Sequence, residues 1–534
     1  MQSRVFRSAS VPAGFLLILR CGAIAAVGLT TMSARAIAAT LELGSNAPVA
    51  ETTAAIFQTR ATVELNPATP IAQALPANLP SRGRWISHAK RDLIPFYTKP
   101  GAFGNPIGKF PSVRCNDGSA VNYSNPCPEV AGNGYLLENR HYVVTMSRQV
   151  YTYGVAFHLT GNPEYLKYAK AGVDYLRNNA FDRQNGGTHG YFDNRSQAWG
   201  PATGLRNPQE LSYALLGMSF YYYLTRDAAV LANIKAAKNH IFGRYYNSSL
   251  QALQWQLQDG NGDRARDKRF QAQVDQLSYL FLVTPDLPEP LQTSWKRDIE
   301  RVVNAMLRDF YAPQDNLFFL NANAPRDRDI NQVGTDFGHT AKGFWTIRLA
   351  GRLLNQQNWI DFADRNGPKL LQRAYLPQEG AWAVGVNAGG SIDRSKRWWI
   401  HAELDQLGSV LALQDPAQAQ YLPQTYRYWL NRFVDKNQGE VWTNIAAGSN
   451  QPIGLPKAWA WKNGYHSMEH ALFGYITTSQ LQQKNIRLFY AFEQRPNNNS
   501  IRPHLFTGQV RHVKVTNNPN GSKVYRVVFG NLGF

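Results

Sequence analysis

The chain has 534 residues, 44% hydrophobic and 12% aromatic, with a formal net charge of +19. That is ample for one large buried core and exceeds an average single domain. No nucleic-acid-binding module accompanies the positive charge, and an exported chain has little use for one, so a nucleic-acid partner is not expected.

Residues 1–39 carry Arg4, Arg7, Arg20 and Arg35, no acid, and apolar runs at 14–19 and 21–29. Small-residue sites follow at Ala36 and Ala39. This pattern predicts an export signal, with an uncleaved membrane anchor as the alternative. The Ala/Thr/Pro-rich stretch 40–80 reads as a tether, 81–482 as a helical domain and 483–534 as a basic extension. Past the signal two cysteines remain, Cys115 and Cys127. In an exported chain such a pair predicts a disulfide; two free buried thiols are the alternative. No second Cys pair or nearby His pair completes a zinc site, so no metal is expected.

The helices repeat. A candidate outer helix spans 82–96. After Arg148 an apolar helix covers 150–157, and Gly161-Asn162-Pro163 breaks it. Leu166, Ala169, Val173 and Leu176 then line one face of an amphipathic helix. The same pair of patterns recurs at 213–224 and up to 240, at 277–282 and 295–310, at 344–354 and 359–375, and at 404–413 and 421–434. A last apolar run lies at 471–476. Arg148, Glu210, Asp275, His339, Glu403 and His466 open the six apolar helices, roughly every 60–70 residues. Helices apolar all round belong inside and amphipathic ones outside. The expected fold is all-α, an (α/α)₆ barrel of twelve helices; an open α-solenoid is the alternative.

The tail differs. Residues 510–515 and 523–528 alternate and are β-branched, and Asn517-Asn518-Pro519-Asn520-Gly521 between them signals a turn, which predicts a β-hairpin appended to the barrel. From Lys484 onward there are eight Lys/Arg against the single acid Glu493, a balance suited to an anionic surface or simply to solvent.

His339 and His466 can exchange protons near neutral pH. Trp398 and Trp399, with Trp459 and Trp461, can stack on sugar rings or pack the barrel mouth. The aspartates around Asp259-Gly260-Asn261-Gly262-Asp263 have only part of a calcium-loop spacing and read as a polar turn.

These motifs together resemble the N-acylglucosamine 2-epimerase superfamily. The pieces that carry the likeness are Arg148-Gln149-Val150-Tyr151, Gly338-His339 with Trp345, Trp398-Trp399 followed by Glu403, and Tyr465-His466. The resemblance implies an (α/α)₆ barrel acting on a reducing mono- or oligosaccharide without a cofactor. His339 and His466 would be the acid/base pair. Arg148 would polarise the open-chain carbonyl, Glu403 would orient the sugar or a histidine, and Trp398 and Trp399 would contact substrate. The chain departs from the family pattern in three places. Asp275 replaces a usual histidine, Lys342 replaces a usual Glu three residues after His339, and Glu469 replaces a frequent Arg three residues after His466. Lys342 and Glu469 are therefore expected to pair in the cavity as a reversed ion pair, with all three residues near the substrate. Two rival functions stay open: a glycoside hydrolase or lyase using Asp275 and Glu403, and a non-catalytic exported glycan-binding protein.

Overall fold

A computed structural model describes residues 78–260, 262–517 and 523–534. The 1–39 segment and residues 40–77 of the expected tether lie outside them. Among the described residues, twelve longer helices alternate along the chain. The outer helices are α1 (82–97), α3 (163–180), α5 (Ala228–Arg244), α7 (291–310), α9 (Gln357–Ala374) and α11 (416–433). The inner helices are α2 (Val143–Thr160), α4 (Pro208–Thr225), α6 (Phe270–Val283), α8 (Phe337–Leu354), α10 (Trp398–Ala412) and α12 (Gly464–Leu481).

Burial sorts the two sets as their sequences require. In α2 every residue but Thr160 is buried. In α7, Trp295, Asp298, Ile299, Val302 and Val303 form a single buried stripe at helical spacing, so only one face meets the core. Each inner helix packs on the next, and α12 packs back on α2, which closes the ring and rules out an open solenoid. Small residues set the close approaches. A Cβ at Gly217 of α4 would stand 2.0 Å from the Ser147 carbonyl of α2, and the Gly217 N–H instead donates to Ser147 Oγ at 2.9 Å.

Cys115 and Cys127 form a disulfide in the connection between α1 and α2. It staples a small apolar cluster of Val113, Val130 and Leu136, against which Leu455 and Trp459 pack. The Arg114 N–H donates to the Ala458 carbonyl at 3.1 Å. The stapled loop thus braces the segment leading into α12. Replacing both cysteines by Ser should lower unfolding free energy by about 3 kcal/mol, the loop-closure value for a bridge of this span, in urea titrations of both proteins.

The C-terminal segment is a three-stranded antiparallel sheet, one strand more than the appended hairpin expected. Its strands are β1 (Ile486–Tyr490), β2 (Thr507–Asn517) and β3 (Lys523–Gly533), in the order β1-β3-β2. Strand β1 was missed because its five residues follow α12 almost directly. The inner face, with Leu488, Tyr490, Val527 and Phe529 buried, covers the end of the barrel where the inner helices finish. The Ala491 and Glu493 N–H groups donate to the terminal carbonyls Leu224 and Thr225 of α4, at 3.0 and 2.8 Å, satisfying groups a helix end leaves open. His504 enters the barrel floor, where its Nε2 lies 3.1 Å from the Tyr151 hydroxyl.

Several histidines are buried in the walls, His88, His158 and His401 among them. Burial pushes His88, His158 and His401 down to about 4. An unfolded chain protonates them near 6.5. Between pH 6.5 and 4 the unfolded state binds protons that the native state refuses, so stability falls as pH drops through that window. Urea titrations at pH 7 and pH 5 should differ by several kcal/mol, roughly 2 kcal/mol per histidine.

Candidate active site

The N-terminal turns of the six inner helices meet at one end of the barrel. They surround a cavity of about 170 Å³. The polar residues that opened the six repeats stand at two different heights. Arg148, Asp275 and Glu403 are each the sixth residue of their helix, whereas Glu210, His339 and His466 are each the third. Taking the sixth residue of every inner helix gives Arg148, Tyr213, Asp275, Lys342, Glu403 and Glu469, a complete polar ring. One turn above it, toward the mouth, stand the two histidines.

The third-residue positions share a local cause. Asn207, Asp336 and Asn463 are the N-caps of α4, α8 and α12, and their side chains accept from backbone N–H groups of the first turn. In α8 the cap does more. Asp336 Oδ1 accepts the His339 backbone N–H, and Asp336 Oδ2 lies 2.7 Å from His339 Nδ1. Burial opposes a charge on His339, but the Asp336 carboxylate more than offsets this and raises its pKa above the usual 6.5. Asp336 was not anticipated as a functional residue. Its signal was present as an acidic cap three residues before the histidine.

His466 sits in the opposite electrostatic setting. Burial, then the nearby charges of Arg148, Lys342 and Lys462, depress it well below the usual value. Its Nδ1 lies 3.6 Å from Glu403 Oε1, while Glu403 Oε2 accepts from Trp345 Nε1 at 2.8 Å. Burial pushes Glu403 up to about 8, with Glu469 adding to the rise and Lys342 opposing it. The two imidazoles are therefore pushed in opposite directions, His339 toward its charged form and His466 toward its neutral form, beside a Glu403 held toward its protonated form.

Trp398 and Trp399 line the same cavity. The Trp399 ring centroid is 4.8 Å from that of His339 and 6.1 Å from that of His466, so one indole neighbours both imidazoles. Gly338 makes this possible, because a Cβ there would stand 2.6 Å from the Trp399 ring. Arg148 completes the wall. Its guanidinium stacks 3.8 Å from the Tyr213 ring and donates to the Trp461 carbonyl at 2.7 Å, while its Nε has no partner among the described residues. Gln209, Tyr213 and Trp461 also line the cavity. Gln209 and Tyr213 carried no signal in the sequence beyond lying in an apolar helix.

The expected Lys342–Glu469 pair does not form. Lys342 Nζ meets Asp275 Oδ1 at 2.5 Å and the Tyr213 hydroxyl at 3.2 Å. Burial alone would strip its proton; Asp275 reverses that and holds Lys342 well above its usual value. The remaining partners of Asp275 are the Tyr213 hydroxyl at 2.9 Å and Gln209 Nε2 at 2.9 Å. Glu469 instead accepts from the Tyr151 hydroxyl at 2.8 Å and from Gln406 Nε2 at 3.1 Å. It lies behind the cavity wall and does not line it, which corrects its expected place beside substrate. The physical reason is adjacency around the ring. Asp275 and Lys342 are on neighbouring helices α6 and α8, whereas α10 separates Lys342 from Glu469. Of the other acidic turn, Asp263 is held by Arg269 and by Trp255 Nε1, and Asp267 by Arg264 at 2.9 Å.

The barrel fold is that of carbohydrate epimerases and isomerases in solved structures. The cellobiose 2-epimerase of Bacillus thermoamylovorans aligns with a TM-score of 0.61 at 14% identity, over 74% of this chain and 98% of that one. A D-mannose isomerase aligns with a TM-score of 0.61 at 14% identity, over 76% and 99%. Residues 129–470 match the N-acylglucosamine 2-epimerase family, and the chain belongs to it. The cellobiose 2-epimerase of Ruminococcus albus is 24% identical over 350 residues, 61% of this chain and 85% of that protein. That of Eubacterium cellulosolvens is 20% identical over 366 residues, 62% and 89%. The chain is an enzyme of the carbohydrate epimerase class.

Proposed function

We propose that the protein is a sugar 2-epimerase or aldose–ketose isomerase that works by proton transfer beside the open-chain carbonyl of a reducing saccharide. The observation that carries this reading is a pair of imidazoles lining one cavity, His339 against the Asp336 carboxylate and His466 among cations, with their pKa values pushed in opposite directions. Paired titratable groups with pKa values pushed apart are how a site divides acid from base. Neutral His466 removes the proton on C2. The electrons move into an enediolate, whose oxygen gains negative charge beside the Arg148 guanidinium, where a fixed positive charge helps most. Charged His339 supplies a proton. Delivery to the opposite face of C2 gives the epimer, and delivery to C1, with the O2 proton passing to O1, gives the ketose. Trp399, which neighbours both imidazoles, offers its face to the sugar ring.

The enclosed volume lies below the roughly 300–1,000 Å³ of drug-sized ligand sites, which suits one sugar unit inside with any further unit toward the mouth. The cellobiose 2-epimerases among the relatives support a disaccharide substrate of that kind. The hydrolase alternative is less well served, because Asp275 is tied to Lys342, Tyr213 and Gln209 and is not poised as a free carboxylate. We further propose that the protein works outside the cytosol; the basic, apolar, small-residue start of the sequence and the disulfide support this.

The test is to incubate the purified protein with a panel of aldoses and disaccharides in D₂O and follow C2 by NMR. Deuterium uptake with appearance of the epimer or ketose is expected. No exchange with any member of a broad panel would overturn the reading. Asp336→Asn gives a second check. Without the carboxylate, burial dominates and the His339 pKa should fall below 6.5, read from its imidazole ¹H–¹⁵N shifts against pH.

A further inference from the structure

A second cavity of about 560 Å³ opens at the far end of the barrel from the catalytic mouth. It lies between the start of α1, the end of α2 and the C-terminal sheet. Thr160 of α2 lines it, whereas Arg148 of the same helix lines the catalytic cavity, roughly 18 Å away along the axis at 1.5 Å per residue. Three cations line it, Arg82, Lys90 and Arg487, all exposed, and no acid does. None of the three makes an ion pair among the described residues; Arg82 donates to the Asn485 carbonyl at 2.9 Å.

The positive strip continues across the sheet. Arg487 of β1 pairs with Val528 of β3, which pairs with His512 of β2. Two residues along, Phe489 pairs with Arg526, and Arg526 with Lys514. Residues two apart share a sheet face, so Arg487, Arg526 and Lys514 stand on one side with Phe489 and Val528 among them. The cavity itself mixes these cations with apolar walls from Ile86, Leu159, Phe489 and Val528.

We propose that this groove binds an acidic polysaccharide strand, a chain of carboxylate-bearing sugar rings, and so holds the enzyme on an anionic glycan while the mouth at the other end stays free. The carboxylates meet the Arg and Lys side chains, and the C–H faces of the rings meet the apolar walls. A single nucleic-acid strand gains its affinity from several stacking aromatics, and the groove offers only Phe489 and the largely buried Tyr475.

The experiment measures binding of the full-length protein to polygalacturonate by affinity electrophoresis and isothermal titration, beside neutral dextran, single-stranded DNA and anionic phospholipid vesicles. Polygalacturonate should bind, dextran should not, and binding should weaken as salt rises from 50 to 300 mM. The double variant Lys90→Glu with Arg487→Glu should lose at least tenfold in affinity. The control Arg427→Glu with Arg432→Glu, two exposed cations of α11, makes the same charge change elsewhere and should lose less than twofold. Melting temperatures of both variants establish folding; should the first melt early, the single variant Lys90→Glu replaces it. Equal losses in the two variants would reduce the effect to net charge and overturn the proposal. So would absent binding at 50 mM salt, or DNA or vesicles binding more tightly than polygalacturonate. The readout is independent of sugar turnover, so failure of the proposed catalytic function leaves it standing.

Discussion

His466→Ala should abolish deuterium exchange at C2 and lower kcat by roughly 10²–10⁴-fold, the range a positioned general base contributes. The size of the effect rests on the site having one neutral imidazole for the abstraction step. His466 is kept neutral by burial and by the cations around it, and Glu403, pushed up to about 8, adds no negative charge to reverse this near neutrality. His339→Ala should also cost activity but through the other proton, because Asp336 biases His339 toward its charged form. The wild-type pH profile should show both. Activity falls on the acid side, below pH 6.5, as His466 takes up a proton. It falls on the alkaline side, above pH 6.5, as His339 loses one. His339→Ala should remove the alkaline limb while the acid limb stays, and stopped-time NMR of exchange against pH checks this. An unchanged bell in His339→Ala would remove that residue from the proton-transfer pair.

Lys342→Met should destabilise the protein by about 3–5 kcal/mol, because it leaves the Asp275 carboxylate buried without its counter-ion. Both side chains are almost fully enclosed, 3% and 2% exposed, so solvent cannot take over the lost partner. Asp275→Leu should cost a similar amount for the opposite reason, a stranded ammonium. The double variant Lys342→Met with Asp275→Leu should regain much of the loss, since apolar side chains of similar volume replace a buried ion pair without stranding a charge. Urea titrations of the four proteins close the cycle. Activity separates structure from chemistry. Lys342 also supplies one of the positive charges that depress His466, so Lys342→Met should raise the His466 pKa and move the acid limb of the pH profile upward. Replacement of the pair without any change in that limb would make it a structural brace alone.

The three departures from the family pattern show where reading the chain residue by residue reaches its end. Lys342 lies one turn beyond His339 and Glu469 one turn beyond His466, so helical spacing placed both on inward faces. It could not say which inward residue meets which. That depends on the order of helices around the ring, and α8 has α6 as its neighbour, not α12. Asp275 thus becomes the counter-ion that Glu469 was expected to be. Asp336 is a different case. Its role follows from a local rule, an acidic cap whose side chain returns to the third residue, and the sequence Asp336-Phe337-Gly338-His339 displays it openly.

The chain alone determined that six apolar helices alternate with six amphipathic ones, that each apolar helix begins with polar residues, and that two of these are histidines in matching positions. Such features are periodic and local, and one strand of sequence encodes them directly. Only the tertiary structure decided the rest: closure of α12 on α2, the opposite pKa shifts of His339 and His466, the Lys342–Asp275 pair, and the sheet that seals the floor and opens a basic groove behind it. These depend on distances between residues remote in sequence and on the water each site excludes, and the pKa of a buried group is set by that enclosure and by those neighbours.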